Sequence, residues 1–94
     1  MKVRWTLAAK RDLVDIHDFY TEHPELAARA ARAIIRAVRV LQTTPGMGRP
    51  GRVPGTRELV IAGAPFVVPY TFVDGDLHLL RVLHAARPWP DSLS

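Results

Sequence analysis

The sequence predicts an α+β fold: an N-terminal strand and an antiparallel helix pair, then a three-stranded antiparallel meander, with the helices packed on one face of the sheet. Three observations carry this expectation. Apolar residues recur at helical spacing in the first half of the chain and in strand rhythm in the second. The stretch "TPGMGRPGRVPG", residues 44–55, divides the halves, and seven of its twelve residues are Gly or Pro. Asp74-Gly75, between two strand-like runs, is a two-residue hairpin signal.

Residues 2–5 are short β-forming material, and Thr6 after them is a suitable N-cap. From there Ala9, Leu13, Ile16 and Tyr20 recur at spacings of four, three and four. Lys10, Arg11, Asp12, Asp15 and Asp18 fill the other side, so an amphipathic helix is expected. Pro24 ends that pattern and suits the first position of a second helix, with Glu25 in its electropositive first turn. The second helix is expected over 24–43, with Ala27, Ala30, Ile34, Val38 and Leu41 as its apolar stripe. Opposite that stripe, Arg29, Arg32, Arg36 and Arg39 fall within roughly 80° of one another at ~100° per residue. They form either a solvated face or a contact surface for an acidic partner.

The Gly/Pro stretch is read as a loop carrying Arg49 and Arg52. It lacks the Gly-Lys-Ser/Thr of a phosphate-binding loop, and no helix follows it as a dinucleotide site requires. Strands are expected over 56–62, 66–73 and 76–84. Pro69 falls inside the middle one, where its missing N–H predicts a bulge or an unpaired stretch. Strict alternation along 76–84 would send Arg81 and His84 to opposite faces unless the strand bulges.

Length and composition narrow the function. Ninety-four residues suffice for one domain, 1–94, with a single modest core. Cysteine is absent, which removes disulfides, thiolate metal sites and a Cys nucleophile. The only serines are Ser92 and Ser94, without an oriented partner. His17, His23, His78 and His84 lack ligand spacing, so neither a metal nor a cofactor is expected. The opening "MKVRWTLAAK" is too interrupted by charge for a signal sequence, and a cytoplasmic protein without membrane contact is expected.

The net charge is +4, and eleven of the thirteen cations are arginine. From Leu26 to Arg57 inclusive there are seven arginines and no acidic residue. Arginine favours bidentate pairing with carboxylate or phosphate, so an acidic protein and a nucleic acid are both open as partners. The one chemistry the residues permit without a protein nucleophile is RNA cleavage by its own 2′-hydroxyl. It needs a base, an acid and cations on the phosphate, which Arg57, Arg81, His84 and Arg87 could supply if they converge.

The element order, "AAKRDLVDIHDFY" in the first helix, "PGMGRPGRVPGTREL" leading into the sheet and "LLRVLHAARPW" after it resemble the RelE/ParE toxin superfamily over nearly the whole chain. The resemblance implies a growth-inhibiting toxin of a type II toxin–antitoxin module, held in a hetero-oligomer by a cognate antitoxin. The positive charge and the arginine face of the second helix predict that the antitoxin's toxin-binding segment is acidic. The resemblance also implies either of two targets: RelE-like members cleave mRNA on the ribosome, and ParE-like members poison DNA gyrase. The ribonuclease pattern places an arginine three residues before a strand tyrosine. Matched to "FVVPY", it puts the tyrosine at Tyr70 but Val67 where the arginine belongs. The lysine pair frequent on the preceding strand is also missing, since the chain has only Lys2 and Lys10. The ParE branch and gyrase are therefore favoured over mRNA. Arg29, Arg32, Arg36, Arg39, Arg49 and Arg52 are the candidates for antitoxin or target binding.

Overall fold

The computed structural model describes residues 1–94. β1 (Val3–Trp5) leads into α1 (Leu7–Phe19) and α2 (Pro24–Thr43), followed by β2 (Arg49–Pro50), β3 (Arg57–Val60), β4 (Phe66–Val73), β5 (Asp76–Leu79) and β6 (Leu83–His84). Thr6 caps α1 as expected: its Oγ1 accepts the Ala9 N–H at 3.2 Å and donates to the carbonyls of Leu79 and Leu80. One side chain thus starts the helix and fixes it to the sheet. The second helix keeps the bounds expected of it, with Pro24 in its first turn.

The sheet order is β1-β5-β4-β3-β2, and β6 pairs with β4 on the same side as β5. The N-terminal strand lies parallel to β5, with Val3 opposite Leu77 and Trp5 opposite Leu79. Asp76 secures that edge by accepting the Lys2 N–H at 3.0 Å and the Arg4 guanidinium at 3.2 Å. The other pairs are antiparallel. Asp74 and Gly75 have φ of 51° and 80°, as a two-residue turn of the mirror-image type requires.

Alternation along the strands separates the two faces. Leu59, Ile61, Phe66, Val68, Tyr70, Leu77 and Leu79 share one face and pack with Ala30, Ile34, Val38 and Leu41 of α2 in a single core. Leu13, Ile16 and Tyr20 of α1 close its side. Burying each large aliphatic here contributes about 1.5–3 kcal/mol. The helices therefore cover one face, as the sequence predicts. The chain has no helix long and apolar enough to cross a membrane.

Three sequence expectations need correction. The last strand does not run unbroken over 76–84: it stops at Leu79 and resumes at Leu83. The Gly/Pro stretch is not all loop, because Arg49 and Pro50 pair with Glu58 and Arg57 as β2. Pro69 does not interrupt its own strand; β4 runs eight residues through it. The first and third of these findings have a common cause at Pro69. Its carbonyl accepts the Leu80 N–H at 2.9 Å, so its backbone polar groups face the β5–β6 side of the strand. The missing donor falls on that side, and it is the neighbouring strand that breaks there, between Leu79 and Leu83.

Candidate functional site

The break between β5 and β6 is held open by a carboxylate from α1. Asp12 accepts two hydrogen bonds from Arg81, at 2.7 and 2.9 Å, and a third from the Val82 N–H at 2.8 Å. That N–H would otherwise be an orphan created by the break. Asp12 and Glu58 are the two charged residues the fold buries. The Asp12 carboxylate also pushes the Arg81 pKa up, against the opposing effect of burial. Arg81 is thus committed to holding α1 on the sheet.

The break changes which side chains share a face. His84 pairs with Phe66 and lies edge-on to that ring, 5.8 Å between centroids, on the helix side of the sheet. A cavity of about 380 Å³ opens there between the second half of α1 and the segment after β6. Arg81, His84 and Arg87 all border it, with Asp15 and Phe19 across from them. The Ala86 N–H donates to His84 Nδ1 at 3.2 Å, which leaves Nε2 as the donor of the neutral ring. The Arg87 guanidinium sits 4.9 Å from the Phe19 ring centroid and has no acidic partner.

Arg57 is elsewhere. It pairs with Tyr70, whereas His84 pairs with Phe66, four residues back along β4. At ~3.3 Å per residue the two registers are about 13 Å apart. Arg57 donates instead to the Gly48 carbonyl at 2.8 Å. Tyr70 is wholly buried; its hydroxyl accepts the Gly48 N–H at 2.9 Å and donates to the Pro45 carbonyl at 2.8 Å. A Cβ on Gly48 would stand 2.5 Å from that oxygen, so the Pro-Gly-x-Gly-Arg motif is shaped to receive the tyrosine. The structure brings His84 and Arg87 together and leaves Arg57 apart.

The same loop is fixed from the other face by Glu58, which is only 3% exposed. One carboxylate oxygen accepts from Arg49 at 3.1 Å. The other accepts the Arg52 N–H at 2.9 Å and Arg52 Nε at 3.2 Å. Burial alone would raise the Glu58 pKa, but the Arg52 backbone and side-chain bonds and the Arg49 bond outweigh it and hold the group below the ordinary glutamate value. A carboxylate depressed on folding stabilises fully above its unfolded value and loses that stabilisation as pH falls through the folded one. We expect urea midpoints to be flat near neutrality and to fall below about pH 4.3, with Glu58→Gln flattening that acid limb. Superposable pH profiles for the two proteins would contradict the role given to Glu58.

Arg49 and Arg52, candidates for contacting a partner, are thus engaged by the chain's own carboxylate. Arg29, Arg32, Arg36 and Arg39 are all exposed, and none forms an ion pair. Exposed Ile35 and Val40 flank them on α2. Sequence reasoning missed Asp12, assigned to the polar side of α1, and Glu58, which reads as ordinary strand material. The one available signal for Asp12 was its place at the edge of the apolar stripe, one residue before Leu13.

Known proteins give this geometry a context. The candidate toxin Y4kP of Sinorhizobium fredii is 42% identical over 93 residues, covering 98% of this chain and 96% of that protein. Toxin RelE2 of Caulobacter vibrioides is 38% identical over 87 residues, covering 92% and 97%. A solved structure described as the chromosomal ParDE TA system from P. aeruginosa is similar with a TM-score of 0.80 and 35% identity, over 89% of this chain and 95% of that one. Residues 3–89 match the family described as ParE toxin of type II toxin-antitoxin system, parDE. With that match spanning nearly the whole fold, the chain belongs to the ParE family of type II toxin–antitoxin toxins.

Proposed function

We propose that this toxin inhibits DNA gyrase by binding, without catalysing a reaction of its own, and that a cognate antitoxin with an acidic toxin-binding segment neutralises it in the cytoplasm. The observation that carries this reading is the fate of the ribonuclease positions. Tyr70 is buried with its hydroxyl engaged on both sides, and Val67 stands where the phosphate-binding arginine would be. Arg57 is tied to the Gly48 carbonyl, about 13 Å along the sheet from His84. That spacing argues against one phosphate held by the whole set. The competing reading, mRNA cleavage, draws on the shared cavity of His84 and Arg87 and on a relative that bears the name RelE2.

His84→Ala separates the two. A binding toxin should arrest growth on induction as the parent does, provided the variant folds. An acid–base residue would cost ~10²–10⁴ in cleavage rate on removal and abolish the arrest. A folded but harmless His84→Ala protein would move the assignment to the ribonuclease.

The antitoxin reading rests on the unpaired arginines of α2 with the apolar residues beside them. Exposed ion pairs contribute only ~0–1 kcal/mol each, so apolar anchors supply most of the affinity and the arginines steer encounter. Changing Arg29, Arg32, Arg36 and Arg39 together to glutamine should slow association with the antitoxin about tenfold or more at low salt and flatten its salt dependence. Stopped-flow association rates identical to the parent across salt would refute the steering role.

A further inference from the structure

The sheet face turned away from the helices should be open, yet Val67 is 2% and Leu83 8% exposed there. No helix lies on that side. The segment after β6 reaches that side, where the Arg52 guanidinium lies 3.5 Å from the Trp89 ring centroid. Arg52 in turn is seated on Glu58, the cross-strand partner of Pro69.

The attachment uses no hydrogen bond. Backbone hydrogen bonds fix the chain as far as Arg87, through Ala85 N–H to the Pro65 carbonyl and Arg87 N–H to the His84 carbonyl. Beyond Arg87, residues 88–94 make no hydrogen bond to the rest of the molecule; Ser92 and Ser94 bond only each other. Pro88 and Pro90 flank Trp89 and deny the segment two of the N–H groups a ladder would use. Glu58 holds Arg52 by both backbone and side chain, so the platform persists when the indole leaves it.

We propose that residues 88–94 form a releasable strap, clasped at Trp89 on Arg52, whose opening uncovers the Val67–Leu83 side of the sheet. Opening gives up the cation–π contact, a factor of about 2 to 30, together with the apolar surface that Trp89 covers, so the closed form dominates. Glu58 is the positioning residue, acting through Arg52. The strap is independent of which target the toxin inhibits.

The chain contains no cysteine, so one introduced thiol reads the face directly. Val67→Cys should react slowly with a soluble disulfide reagent under native conditions. Adding Trp89→Ala should accelerate the reaction about 2- to 30-fold with the far-UV circular dichroism unchanged, and adding Glu58→Gln should give an intermediate rate. Should Trp89→Ala not fold, Arg52→Gln removes the clasp from its other side and must accelerate labelling equally. Equal labelling rates in folded parent and clasp variants would overturn the proposal, as would fast labelling in the parent.

Discussion

Asp12→Ala is expected to destabilise the fold by about 3–5 kcal/mol, the largest single-site loss outside the aliphatic core. Three hydrogen bonds disappear, Arg81 keeps its charge in a half-buried site without a counterion, and the Val82 N–H loses its acceptor. Against a total stability of ~5–15 kcal/mol, much of the population should unfold at 37 °C. Asp12→Asn retains an acceptor for the Val82 N–H and should cost less. Replacing both charges, Asp12→Leu with Arg81→Met, should recover part of the loss, because the penalty lies in the orphaned partner more than in the missing pair. Urea titrations of the three proteins check the order. A parent-like midpoint for Asp12→Ala would show that the break between β5 and β6 does not depend on α1.

Val67→Arg is the second large effect, at about 3–5 kcal/mol. The valine lies on the face away from the helices, where an open sheet would let a long side chain reach solvent with its charge. It is nevertheless buried, between Val60 and Leu83 in register. An arginine there meets overpacking and an unpaired charge together. Restoring the ribonuclease branch's arginine should therefore yield an unstable protein and no cleavage. An unchanged thermal midpoint would mean that the face stands open in solution.

Much of the architecture was legible because it depends on local spacing. The stripe of α2, the Thr6 cap and the Asp74-Gly75 turn each follow from residues within a few positions of one another, and each is found. What escaped depends on partners far along the chain. Pro69 was recognised as a ladder defect, but a missing N–H disturbs whichever strand faces it, and the sequence does not say which side that is. Once β5 and β6 separate, strict alternation ceases to govern Arg81 and His84, and both come to border one cavity. Asp12 read as polar surface because its partner lies 69 residues away. The candidate arginines divide for the same reason. Those of α2 stay unpaired, whereas Arg49 and Arg52 answer to Glu58, whose burial needs β2 to form beside it.

Inhibition by binding, and not by RNA cleavage, is tested most directly in parallel reactions with purified components. The protein should block supercoiling by DNA gyrase at near-stoichiometric ratios or trap its cleaved-DNA complex, with antitoxin reversing the effect. It should leave mRNA intact on translating ribosomes. Codon-phased mRNA cleavage by the wild-type chain, with gyrase unaffected at the same concentrations, would contradict the claim while leaving the fold and the family in place.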